Sequence, residues 1–93
     1  MKINDLRIKH LEKCFGKAIM EHRRYVGVKI WMFGFEETEV IINPTDNFHK
    51  KLEYYKNAYN EDLTLKNAPD KIKIVGFTYG DDFKEIQKDL LGL

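Results

Sequence analysis

The sequence predicts a single α+β domain whose elements follow the order α-β-β-α-β-β-α. Ninety-three residues are enough for one hydrophobic core. Apolar residues recur with helical spacing in three segments and with strand-like patterns in four. The links between these segments are short, which favours antiparallel neighbours. We therefore expect a four-stranded, mostly antiparallel sheet with helices packed mainly on one face.

The first predicted helix covers residues 4–23. Its apolar side chains fall in one stripe about 100° wide, which is typical of a helix that packs against a core. The stripe contains Ile8, Leu11, Phe15, Ala18 and Ile19. His22 lies near the middle of the same stripe, so we expect a half-buried helical histidine.

A β-hairpin is predicted next. Its strands are residues 25–35 and 38–43, and residues 36–38 form the connection. Side chains alternate between the two faces of a strand. The face suited to the core carries Val26, Val28, Ile30 and Met32.

The second predicted helix covers residues 44–59. Asn43 is suited to cap its free N–H groups, and Pro44 is suited to the first helical position. Four aromatic and aliphatic residues share one face of this helix, namely Phe48, Leu52, Tyr55 and Tyr59. This face is expected to pack against the core.

The last three elements are a short strand at residues 63–66, a strand at 71–79 and a helix, with a turn at 67–70. Strict alternation along the longer strand puts Ile72 and Ile74 on one face. It puts Val75, Phe77 and Tyr79 on the other. Asp82 resembles the first residue of a capping box with Glu85, and Gly92 suits the end of the helix.

The second face of the first strand is aromatic and is the best candidate for a functional surface. It carries Lys29, Trp31, Phe33 and Phe35, after Tyr25. Either a helix crosses this face or another molecule covers it. The rest of the hairpin begins with acidic residues, Glu36, Glu37 and Glu39. Negative charge repels phosphate, so we expect a protein partner or self-association rather than stacking on nucleic-acid bases.

A basic stripe on the first helix supports an alternative. Residues 1–30 hold eight basic and three acidic residues, whereas residues 31–46 hold four acidic residues and no basic one. The residues that could contact an anion are Lys9, Lys13, Lys17, Arg23 and Arg24. They could bind the phosphates of a nucleic acid, or they could simply form a solvated helix face.

Catalytic and metal-binding patterns are weak in this sequence. His10 and Cys14 are one helical turn apart, but no further ligand spacing accompanies them. Asp70 with Glu85 and Gln87 resembles the metal-binding acids of restriction-type nucleases, although Glu85 falls on a predicted helix. The sequence therefore predicts no catalytic residue, no metal and no cofactor.

The expected location is the cytoplasm, a reducing compartment. The single cysteine cannot form an internal disulfide. No apolar stretch approaches the ~20 residues that a membrane span needs, and no apolar segment resembling a signal peptide follows the first residues.

Several segments resemble small accessory proteins of phages and prophages of Gram-positive bacteria. The resemblance covers about residues 26–91 and lies in the segments 41–44, 51–60, 62–65 and 76–80, together with Phe48. The resemblance attaches no activity to the chain, so no functional residue carries over from it. It implies a setting in which a short protein binds a host or defence protein and blocks it. The expected function is thus a non-enzymatic protein–protein interaction domain, with nucleic-acid binding as the alternative.

Overall fold

The computed structural model describes residues 6–92. It is an α+β domain with the predicted order of elements. These elements are α1 (Ile8–Met20), β1 (Tyr25–Met32), β2 (Glu39–Pro44), α2 (Phe48–Ala58), β3 (Thr64–Leu65), β4 (Ala68–Gly80) and α3 (Phe83–Leu91). The four strands form one antiparallel sheet in the order β2-β1-β4-β3.

Two helices cover one face of the sheet and the third covers the other. Val26, Val28 and Ile30 are buried in the core that α1 and α2 close. Gly27 points to the opposite face, where Ile86 and Leu90 of α3 lie directly above it. The prediction that most helices share one face is confirmed, and α3 is the helix that crosses the aromatic face of β1.

The predicted alternation along β4 is wrong because the strand contains a β-bulge. Lys29 pairs with Gly76 and Ile30 pairs with Ile74, so Val75 has no partner on β1. The extra residue shifts the alternation by one. As a result Phe77 lies on the same face as Ile74, and both pack in the core under α1 and α2.

The predicted bounds of the turn at 67–70 are wrong, because the turn occupies residues 66–67. β4 starts at Ala68, which pairs with Leu65 of β3. Proline at position 69 fits a strand there because β1 pairs with β4 only from Ile72 onward and β3 pairs with Ala68 and Lys73, so no strand pair requires the missing N–H of Pro69.

The helix α1 is shorter than predicted at its C-terminal end. It ends at Met20, and His22 adopts a left-handed conformation with φ of 55°. His22 is exposed, so the expected half-buried position within the apolar stripe is wrong. Leu11, Phe15 and Ala18 are buried as predicted. The start predicted at residue 4 lies outside the described residues.

Asn43 does not cap the second helix, contrary to the prediction. It lies inside β2, is buried, and its Nδ2 donates to the carbonyl oxygen of Val26 at 3.1 Å. A single 3-10 turn at Thr45–Asn47 separates β2 from α2. Because Pro44 is extended and pairs with Tyr25, the helix cannot begin there.

The predicted N-cap at Asp82 and the C-terminal glycine at position 92 are confirmed, whereas the described residues show no reciprocal bond from Glu85 that would complete a capping box. The Asp82 carboxylate accepts hydrogen bonds from the backbone N–H groups of Lys84 and Glu85, at 2.9 and 3.2 Å. Gly92 closes the helix in the left-handed conformation with φ of 74°, which glycine adopts without strain.

Candidate interaction surfaces

The first candidate surface lies where β1 leaves the sheet. We call Trp31, Phe33 and Phe35 the hairpin patch. The predicted strand reached residue 35, but β1 ends at Met32, so only Trp31 belongs to the strand. Trp31 is 37% exposed, Phe33 is 68% exposed and Phe35 is 65% exposed. The structure thus keeps these aromatic side chains at the surface.

The backbone of this connection is held at two points. The N–H of Phe33 donates to the carbonyl oxygen of Lys71 at 2.7 Å. The N–H of Phe35 donates to the carbonyl oxygen of Met32 at 3.2 Å. Gly34 between them has φ of 88°, a conformation that favours glycine. The two phenyl rings are therefore presented from a short, hydrogen-bonded turn.

The helix α3 stops short of the hairpin patch. Leu91, its last residue, lines a cavity of about 400 Å³ with Glu36, Glu37 and Thr38 of the connection. Lys29, predicted for the same surface, lies deeper in the sheet, half-buried opposite Gly76. Lys29 is therefore separate from the exposed part of the surface.

The rim of the hairpin patch is acidic. The three acids predicted there, Glu36, Glu37 and Glu39, are all exposed. Within residues 6–92, none of them forms an ion pair. The uncompensated negative charge next to exposed aromatic rings is suited to a partner with a basic surface.

The second candidate surface is a groove between α1 and β4. Its cavity volume is about 240 Å³. We call this surface the α1–β4 groove, and it is lined by His10, Lys13, Cys14, Lys17 and residues 77–79. Both lysines are exposed, and the lining contains no acidic residue.

Four of the five predicted anion-contacting residues line three different cavities. Lys13 and Lys17 lie at the α1–β4 groove, whereas Lys9 lines a separate cavity with Arg7 and Glu61. Arg24 lines a third cavity, beside Tyr25, Pro44 and residues 45–46. No single cavity of the described residues brings these four side chains together.

Arg23 belongs to a cluster that the sequence did not predict. Its Nε lies 3.1 Å from the Asp81 carboxylate, although the N–H direction does not meet hydrogen-bond geometry. Its Nη1 lies 3.5 Å from Glu21, and its guanidinium stands 5.6 Å above the ring of Tyr79. The Tyr79 hydroxyl donates to Glu21 at 2.8 Å, which raises the pKa of this tyrosine. These partners are 58 residues apart in sequence, so no local pattern indicates the cluster.

Cys14 is buried beneath the α1–β4 groove. Burial raises the pKa of its thiol to about 12, and the nearby Lys17 only partly opposes this. The thiolate is the nucleophilic form, so this environment does not activate the cysteine. His10 Nδ1 accepts a hydrogen bond from the backbone N–H of Arg7 at 2.9 Å, which gives this histidine a structural role at the start of α1.

A buried polar group between α2 and β2 was also absent from the prediction. Within residues 6–92, the Tyr55 hydroxyl is buried without a partner at hydrogen-bond geometry. Its burial raises the pKa of Tyr55, and the neighbouring Asn43 amide partly opposes this shift. The spacing of the aromatic residues in α2 predicts that Tyr55 is buried, but not what its hydroxyl meets.

The acids that resembled a nuclease centre are far apart. Asp70 lies near the start of β4 and Glu85 in the first turn of α3. The ten residues from Asp70 to Gly80 span about 33 Å of extended strand. No group of three or more metal-ligating side chains occurs within residues 6–92.

No helix in the described part of the chain is both long enough and apolar enough to cross a membrane.

The chain matches no protein-family profile, no curated protein and no solved structure.

Proposed function

We propose that this protein is a non-enzymatic interaction domain that binds a protein partner through the hairpin patch. The observation that supports the proposal most directly is the exposure of about two thirds of Phe33 and Phe35 on one short, hydrogen-bonded turn. Aromatic side chains are enriched at the centres of protein interfaces and often contribute most of the binding energy.

The charges around the patch favour a basic protein surface as the partner. Glu36, Glu37 and Glu39 are exposed beside the aromatic rings. Such a rim speeds the encounter with a positive surface and repels nucleic-acid phosphates. Nucleic-acid binding through α1 is the weaker proposal, because four of the basic residues expected to act together line three different cavities and Arg23 pairs with two acids.

The setting we propose is the bacterial cytoplasm. The resemblance to phage and prophage accessory proteins suggests that the partner is a host or defence protein. In this proposal, the domain blocks its partner by occupying a surface that the partner needs.

The proposal is tested by replacing the two exposed rings. Phe33→Ser with Phe35→Ser removes apolar contact area without disturbing a buried side chain, so the fold is expected to persist. Met20→Ser is the matched control, because Met20 is 79% exposed at the end of α1, away from the hairpin patch. A photo-crosslinking residue at position 33 or at position 20 identifies partners by mass spectrometry.

We expect crosslinks to a defined protein, or to a second copy of the chain, from position 33 and not from position 20. With the partner so identified, we expect the double variant, which carries no crosslinking residue, to lose the complex in pull-down and size-exclusion measurements while its circular dichroism spectrum stays unchanged. If the complex and the oligomeric mass are the same for wild type and the double variant, the hairpin patch is not the binding surface.

A further inference from the structure

We propose that the outer edge of β4 is a second binding site, which adds an extended acidic peptide segment of a partner protein to the sheet as a fifth strand. This site is separate from the hairpin patch, so either proposal can fail without the other. It rests on an open strand edge, on the groove beside that edge and on the spacing of two lysines.

Within residues 6–92, the second half of β4 has no neighbouring strand on its outer edge. β1 pairs with β4 along one edge as far as Gly80. On the other edge β3 has only two residues, which pair with Lys73 and Ala68. Within the part of the chain that the structure describes, no strand pairs with the outer edge of residues 75–80. Alternate N–H and C=O groups of this segment are therefore available to another chain.

This open segment also lacks the residues that usually protect an edge strand. Lysine and proline on an edge discourage pairing with other chains. β4 carries Pro69, Lys71 and Lys73 in its first half, but residues 75–80 contain no charge and no proline. The bulge at Val75 marks the boundary between the two halves. An unprotected edge of this kind is suited to binding a strand.

The α1–β4 groove runs beside the open segment and can hold the side chains of an added strand. Its floor contains residues 77–79 and the buried Cys14, and its outer wall contains Lys13 and Lys17. A strand paired with β4 would point every second side chain toward this wall. Main-chain hydrogen bonds would supply affinity, and the wall would select the side chains.

The spacing of the two lysines matches that of a strand. Residues four apart on a helix are separated by about 6 Å along its axis. Residues two apart on a strand are separated by about 6.6 Å. Two acidic residues with one residue between them can therefore face Lys13 and Lys17 together. Glu21 and Asp81 lie at the groove end and share one arginine, Arg23, so this cluster keeps one net negative charge against the two positive charges of Lys13 and Lys17.

The same charges disfavour a second copy of the chain in this site. In a symmetric dimer each β4 would pair with the other, and the two basic walls would approach one another. The opposite sheet edge is less suited to an acidic peptide, because β2 begins with Glu39 and ends with Pro44.

The test uses the full chain, labelled with nitrogen-15, and an acetylated and amidated octapeptide in which Glu alternates with Val and Thr. We expect saturable shifts of the backbone amide signals of residues 75–80. Lys13→Glu with Lys17→Glu should weaken binding by about tenfold or more, since two charge contacts become repulsive. The matched control, Lys50→Glu with Lys84→Glu, changes exposed lysines of α2 and α3 and should alter the affinity by less than about twofold.

Two methylated peptides test whether the backbone pairs. One carries N-methyl groups at its odd positions and the other at its even positions. In a strand paired with β4, only the N–H groups of alternate residues face β4, so methylation removes these donors in one peptide and leaves them in the other. We expect one methylated peptide to bind and the other to lose binding. Equal binding of both, or shifts elsewhere than residues 75–80 and α1, would overturn the proposal. The proposal would also be overturned if a single-stranded octathymidylate bound the same residues more tightly than the octapeptide does. A dimer of the chain that dissociates on changing Lys13 and Lys17 would overturn it as well.

Discussion

Gly27 of β1 lies directly beneath Ile86 of α3, with no space between them for a methyl group. Leu90, one helical turn further on, would lie 2.9 Å from a Cβ atom at position 27. The glycine therefore determines how closely α3 approaches the sheet. The helix α3 thus packs closely on β1 at Gly27, whereas the hairpin patch lies beyond the last residue of this helix, Leu91.

Replacing Gly27 with alanine is expected to destabilise the protein. The added methyl group would overlap Ile86 and Leu90, and overpacking of this kind costs about 1–3 kcal/mol. Gly16→Ala is the matched control, since Gly16 is exposed within α1 and a Cβ atom there meets nothing within 4 Å. The control should raise the free energy of unfolding by up to about 1 kcal/mol, because alanine favours the helix. Urea unfolding measures both changes, and equal effects would show that α3 does not pack on Gly27.

The two buried polar side chains Asn43 of β2 and Tyr55 of α2 predict different results when each is replaced. Asn43→Ala leaves the Val26 carbonyl oxygen without its side-chain donor and should lower the free energy of unfolding by about 1–3 kcal/mol. Tyr55→Phe removes a buried hydroxyl that lacks a partner, so stability should be unchanged or higher by up to about 1 kcal/mol. Thermal unfolding of both variants checks this, and a large loss for Tyr55→Phe would mean that its hydroxyl forms a strong hydrogen bond.

The N-terminal cap of α3 predicts a modest loss on substitution. Asp82→Ala removes the carboxylate that accepts from the N–H groups of Lys84 and Glu85, which should cost about 1 kcal/mol. Asp89→Ala, on the exposed side of the same helix, provides the control and should change stability by less than about 0.5 kcal/mol. Chemical denaturation compares the two, and a cap variant no weaker than the control would contradict the cap seen here.

The burial of the Cys14 thiol leads us to expect that the folded protein loses stability at alkaline pH. Its pKa rises from 9.0 to about 12 in the folded protein because the thiol is buried. Between pH 9 and pH 12 the unfolded thiol is ionised while the folded thiol keeps its proton. The unfolded state then binds fewer protons, so stability falls as pH rises, by up to about 1.4 kcal/mol per pH unit. Below pH 9 this contribution is constant.

The measurement is the free energy of unfolding at several pH values between 8 and 11, for wild type and Cys14→Ala. The variant should lose stability less steeply above pH 9, whatever its stability at neutral pH. At pH 8 the thiol of the folded wild type should react with iodoacetamide about a thousandfold more slowly than that of the protein in urea. Comparable rates in the two states would show that Cys14 is accessible and ionisable.

Local sequence patterns determined the class of the domain, the order of its elements and much of its core. The helical spacing of Leu11, Phe15 and Ala18 identifies the buried side of α1, because both the period and the apolar side chains lie within one element. Asp82 and Gly92 identify the ends of α3 for the same reason, since each cap acts on backbone groups only a few residues away.

Only the tertiary structure decided which surfaces are covered and which are open. The bulge at Val75, the burial of Asn43 and the packing of α3 over Gly27 each depend on contacts between segments distant in sequence. A single extra residue in β4 moved Phe77 to the core face, which no strict alternation predicts. The exposure of the hairpin patch and the open edge of β4 follow from where neighbouring elements stop. That depends on the length of each element and its packing on the others, which local periodicity does not encode.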